Sequence, residues 1–334
     1  MHLITKISLA IVAVWGISSC ATKGPDVSNV QADFELVPFF MELHSIAPDS
    51  IAAKVPYLRQ KYGHYLEGYS TRVIKIGPSD APEYPEYLRS FIEYDANRDV
   101  FAKCKEQYAD LSLLKQQITG AYRHYLHYFP TYRLPDVYLH ISGFNQSMVA
   151  DSGLIAVSVE KYLGADCPFY EWLAYPNYLR RKMVPQKMVP DLMKAIAYTE
   201  FPYNDSIDDV ANNIIYQGKV LYFVKAMIPA LHDSLLFDYT ERELEWCDTY
   251  ETKMWETMVE KKYLFDNNRM AIQKFIGDAP FTTYFGQDSP GRAGTYVGYR
   301  IVEAYLKRNP AVGLPKLMEI SDGHEILRGS GYRP

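Results

Sequence analysis

The spacing of apolar residues along this chain changes three times, and each change predicts a different kind of structure. Near the start, eleven mostly apolar residues run from Ile7 to Ile17. Beyond a polar stretch, Leu36, Phe39, Phe40 and Leu43 recur at helical spacing, as do Tyr87, Leu88, Phe91 and Ile92, with the PSDAPEYP loop of Pro78 to Pro85 between them. A further helix takes in Arg123 to Phe129 and stops before Pro130. The period then falls to two. Asp136 to Ile141 and Leu154 to Val159 are short, β-branched and alternating, and the turn-rich SGFNQS and Asp151-Ser152-Gly153 segments separate them. They read as antiparallel strands of a small sheet. From Tyr170 onward the pattern is helical again, with Pro190 and Asp191 at one helix start and Ser206 with Asp209 resembling a capping box at another. The expected class is α+β, mostly helical, with a helical N-terminal part to about residue 130 and a small antiparallel sheet.

The opening apolar run is too short for a permanent span, which takes about 20 residues. With Lys6 in front and Ser18-Ser19-Cys20 behind, it reads as a lipoprotein export signal: residues 1–19 are removed and Cys20 accepts lipid. An ordinary cleaved signal with an incidental cysteine is the alternative. Residues 20–28, polar with Gly24 and Pro25, are expected to be a tether, and 29–334 a single domain. Loss of Lys6 leaves 34 basic residues against 40 acidic ones, so nucleic acid is not an expected partner. Cys104, Cys167 and Cys247 remain, which leaves room for one disulfide and requires none. None of them has a neighbour in sequence that suggests a catalytic base. The 29 tyrosines suit both cores and binding clefts, but Tyr122, Tyr125, Tyr128 and Phe129 have the spacing of a packed helix face.

Candidate chemistry is sparse. His124 and His127 share a helix face, yet two ligands do not make a zinc site. Asp205, Asp208 and Asp209 cluster where capping and the helix dipole already favour acids. No nucleophile elbow, phosphate-cradling glycine loop or dinucleotide fingerprint appears. Thr199-Glu200-Phe201-Pro202-Tyr203 is closest to a motif: it follows the two strands as H-E-x-x-H follows the edge strand of a zincin, with Thr199 and Tyr203 in the histidine places. Neither is a normal zinc ligand, and Pro202 should end the helix before the two could face one point.

Taken together, Ser142 to Ser147 (SGFNQS), Tyr162-Leu-Gly164, Ile215 to Tyr222 (IYQGKVLY), Glu245-Trp-Cys247, Ala279-Pro-Phe281 and Ser289 to Val302 resemble the gliding motility lipoproteins of the GldB family, related to zincin-type zinc peptidases. That resemblance implies a zincin-like domain whose third metal position, a glutamate before glycine in the peptidases, is taken here by Gln217. With Thr199, Tyr203 and Gln217 all departing from the pattern, no metal or other cofactor and no catalysis is expected, although Glu200 is kept. It also implies that Arg292, Tyr296, Tyr299 and Arg300, around Gly291, Gly294 and Gly298, form a wall of the cleft; close helix packing through the glycines is the other reading. The expected role is an envelope lipoprotein, held to a membrane through Cys20 and bound to envelope proteins, that supports gliding or a related secretion apparatus. The outer membrane is favoured, since Ala21 rather than an aspartate follows Cys20, and its periplasmic face, since no dense acidic run follows Cys20. The alternatives are a metal-dependent peptidase with unorthodox ligands and a peptide- or glycan-binding module.

Overall fold

The computed structural model describes residues 24–334, so the expected signal segment and Cys20 lie outside the described residues. A first group of elements comprises β1 (Leu36–Val37), α1 (Phe39–Ser45), α2 (Ile51–Gly68), α3 (Tyr84–Glu93), α4 (Asp95–Gln107) and α5 (Ser112–Tyr128). The strands β2 (Asp136–His140), β3 (Met148–Asp151) and β4 (Leu154–Ser158) follow. The rest is helical: α6 (Pro168–Trp172), α7 (Asn177–Arg180), α8 (Met188–Glu200), α9 (Val210–Met227), α10 (Asp233–Phe237), α11 (Glu241–Glu260), α12 (Arg269–Ile276), α13 (Ala293–Arg308), α14 (Leu314–Glu319) and α15 (Gly323–Ser330). The class is α+β and mostly helical, as the periodicity predicts.

The sheet, however, is mixed rather than antiparallel. Its order is β1-β2-β4-β3, with β1, β2 and β4 parallel and β3 alone antiparallel, on β4. The two legible strands are therefore parallel neighbours, because the short β3 between them in sequence turns back through Ser152 and Gly153 and takes the edge. Their composition agrees with burial on both faces. Val137, Leu139, Ile155 and Val157 enter the main core, while Ala156 and Tyr138 meet a smaller core of Phe39, Tyr62, Tyr65 and Tyr69 beneath α1 and α2.

The SGFNQS segment clasps a buried carboxylate. Glu160, fully buried, accepts on Oε1 from the Ser142 amide (2.8 Å), the Ser142 hydroxyl (2.6 Å) and the Phe144 amide (3.1 Å). Gly143 and Phe144 adopt φ of 68° and 64° to aim these donors.

The centre of the helical part is α9, apolar on nearly every side, from Val210 and Ile214 to Phe223 and Met227. It crosses α13 at Gly218 and Gly298, where a Cβ on either residue would overlap the other helix's backbone. Close packing is thus the use of Gly298. The capping box at Ser206 does not form; α9 starts later, where the Asp209 side chain accepts from the Asn212 amide at 2.9 Å. Within the stretch expected as tether, Gly24 lies beside Pro229 and His124, so the chain is already against the body there. Cys104, Cys167 and Cys247 are buried free thiols, and burial pushes all three up. None of the described helices is long and apolar enough to cross a membrane.

Candidate functional site

Helix α8 ends at Glu200 because Pro202 disfavours helical backbone at Phe201, which leaves at φ −129°, ψ 69°. Thr199 is therefore in the last turn of the helix and Tyr203 is in the loop beyond it. Each is engaged locally. The Thr199 hydroxyl donates to the Ala195 carbonyl one turn back (2.9 Å). The Tyr203 hydroxyl accepts from the Asn213 amide (2.8 Å) and donates to the Ile207 carbonyl (2.8 Å), and burial pushes it up to about 12. Gln217, on α9, accepts from the Tyr198 hydroxyl at 2.8 Å. The three positions that the sequence pattern would assign to a metal are thus split between two elements and a loop, each with a side-chain oxygen already in a local hydrogen bond. They do not fit zinc. Among the described residues, no group of three or more His, Cys, Asp or Glu is arranged to hold a metal ion.

Glu200 stands exposed between two hollows that share it and Tyr132. The outer one, about 660 Å³, is walled by Arg133 to Pro135, the β3–β4 turn, Ile196 and Thr199. An inner one, about 280 Å³, lies between Phe201 to Asn204, the α9 side chains of Tyr216 and Lys219, and Met318 to Gly323. Asn212 pins its rim, accepting from the Gly323 amide (2.6 Å) and donating to the Ile207 carbonyl (2.6 Å). Asp209 closes the same corner: besides capping α9, it pairs with His324 Nε2 at 2.6 Å. Asp208 lies 3.2 Å from the Tyr203 hydroxyl, so these acids serve the loop's own geometry. His124 bonds to the Gly120 carbonyl (3.0 Å) of its own helix.

The four residues expected along a cleft wall do not face one cleft. Arg292, the N-cap residue of α13, is in a buried charge cluster with Asp238 (2.8 Å). Tyr299 packs edge-on to Phe237. Tyr296 and Arg300, one turn apart, reach α11: the Tyr296 hydroxyl donates to Asp248 (2.6 Å) and Arg300 pairs with Glu251 (3.1 Å). Asp248, Glu251 and Arg300 line a separate cavity of about 900 Å³ near Tyr332.

The periodicity gave no sign of the cluster around Asp238. Lys187, 1% exposed, reaches Asp238 at 2.5 Å and Asp191 at 3.2 Å, and Lys194 lies 3.6 Å from both. Burial alone would raise the Asp238 carboxyl, but Lys194, Lys187 and Arg292 hold it well below the usual range. Burial draws Lys194 down to about 8. Nor did the periodicity mark Lys219 inside IYQGKVLY, although a charge in the middle of so apolar a helix, well before Lys225 in its last turn, is a usable signal.

Residues 20–334 match the family model described as gliding motility protein GldB. No curated protein and no solved structure matches the chain.

Proposed function

The chain belongs to the GldB family of gliding motility proteins, and from that premise we propose that it is a lipid-anchored envelope protein that acts by binding rather than by catalysis. The observation that carries this reading is the state of the three would-be metal positions. A water-activating zinc site needs ligands converging on one point with free lone pairs. Here the helix stops between Thr199 and Tyr203, and Gln217 is a neutral amide, not a zinc ligand type, whose carbonyl already accepts from Tyr198. Glu200 without a Lewis acid beside it is left as a lone exposed carboxylate.

The anchor is Cys20, whose lipid would hold the body at a membrane, with the periplasmic face of the outer membrane favoured. Attached there, the protein would serve a gliding or secretion apparatus by contacting other envelope proteins. Zinc analysis of the purified protein tests the non-catalytic part: substoichiometric metal is expected, and near-stoichiometric zinc lost on Glu200→Gln or Gln217→Ala would overturn it. Cell fractionation of Cys20→Ala tests the anchor. Release from the membrane fraction is expected, and unchanged retention counts against lipidation.

A further inference from the structure

The inner pocket beside Glu200 has a buried cation as its floor. Lys219 is 4% exposed, and its ammonium donates to the Met318 carbonyl (3.1 Å) and the Ile320 carbonyl (2.5 Å), at the C-terminal end of α14. An ammonium has three N–H donors. The third has no acceptor among the described residues, and no described carboxylate lies within 4.0 Å of the nitrogen. This differs from Lys187, which is also buried but matched by Asp191 and Asp238. A buried, uncompensated charge is costly, and an anion brought to it from solution recovers part of that cost.

The walls restrict which anion fits. Phe201, Tyr203 and Tyr216 are aromatic, with Tyr132 at the junction to the outer hollow, and Asn204 supplies a side-chain amide, that of Asn212 being committed to Ile207, Asn204 and Gly323. About 280 Å³ corresponds to roughly nine water volumes, room for one ring-bearing group. Glu200 and Glu319 stand exposed at the mouth. Glu319 is paired with Lys316 (3.2 Å), but Glu200 has no described cationic partner and repels polyanions such as phosphates more than a single carboxylate, while the buried ammonium acts in a medium of low dielectric, where its pull is stronger.

We infer that this pocket binds an aromatic or apolar group bearing one carboxylate, with the carboxylate on Lys219 and the side chain against the aromatic wall that Tyr203 and Tyr216 form by packing edge-to-face at 5.2 Å. Two sources share this chemistry: a small free acid, and the C-terminal residue of a peptide whose preceding residues pass Glu200 into the outer hollow. The inference does not depend on membrane attachment, and it gives the binding role a chemical target that the family assignment does not supply.

The probes are N-acetyl-L-phenylalanine, its carboxamide, and the peptide Ala-Ala-Phe with free and with amidated C terminus, titrated calorimetrically into the intact protein. A free carboxylate should bind at least roughly tenfold tighter than the matching amide, as a charge-assisted hydrogen bond implies. The small acid alone binding well supports the first source, and a further gain for the tripeptide supports the second. Acetylation of Lys219 in wild-type protein, followed by peptide mass spectrometry, should be slowed by the acid and not by the amide, a readout that needs no variant. Lys219→Met, which keeps the apolar stem, should remove the discrimination. Equal binding of acid and amide, no binding of either, or Lys219 acetylation unaffected by the acid would overturn the inference and leave Lys219 as a clamp on α14.

Discussion

Gly298 of α13 and Gly218 of α9 meet backbone to backbone, and Gly298 also abuts the Ile214 carbonyl, so neither position has room for a Cβ. Both helices are buried at this crossing, and neither can move away without opening the main core. Gly298→Ala should therefore destabilise the protein by about 3 kcal/mol or more, at the upper end of what overpacking costs. Gly120→Ala in α5, where an added Cβ meets nothing within 4 Å, is the control and should be neutral or stabilising by up to about 1 kcal/mol. Urea unfolding of the two variants decides it.

Placing zinc-ligating residues at positions 199, 203 and 217 should not create a metal site. In the triple variant Thr199→His, Tyr203→His, Gln217→Glu, Pro202 still ends α8 before residue 203, so the imidazoles cannot face one point. Elemental analysis after dialysis against zinc should find well under one equivalent.

Asp238 balances three cations, and its loss should be felt more than that of any surface carboxylate. Asp238→Ala leaves Lys187, Lys194 and Arg292 with only the partly exposed Asp191 and Asp278, and about 3–5 kcal/mol of stability should go. Removing Glu106 from its exposed pair with Lys103 should cost no more than about 0.5 kcal/mol. Thermal denaturation of the two variants side by side gives the contrast.

Lys219 should shape the alkaline stability profile. Burial draws it down to about 8, below the 10.5 of an unperturbed lysine. Between these values the unfolded chain binds more protons than the folded one, so Lys219 makes stability rise with pH across that window. Denaturation midpoints between pH 8 and 10 should climb more steeply for wild type than for Lys219→Met.

His140 acts at the acid end. Fully buried between the Tyr65 hydroxyl (3.1 Å) and the Ser158 hydroxyl (2.9 Å), it is drawn by burial down to about 3. The unfolded chain then takes up the proton first, near 6.5. Its contribution is complete above pH 6.5 and is lost as pH falls from there toward 3. His140→Gln should flatten the acid limb of a stability–pH curve in that window.

Local chemistry made much of this protein legible from its sequence. Pro202 lacks a helical donor and disfavours helical backbone at the residue before it, so the failure of Thr199 and Tyr203 to converge could be anticipated without coordinates, as could the family, from the ordered short motifs. The α+β class followed from the two periods of apolar spacing. Tertiary structure decided what depends on neighbours distant in the chain. Strand direction was one such matter, because Asp136 to Ile141 and Leu154 to Val159 alternate in the same way whether paired parallel or antiparallel, and only the edge position of β3 selects between them. The partners of Arg292 and Lys219 were another. A charge in the sequence carries no mark of whether it meets a carboxylate 54 residues away, as Arg292 meets Asp238, or only the carbonyls ending α14, as Lys219 does. Burial turns that difference into energy, and burial is a property of the packed fold.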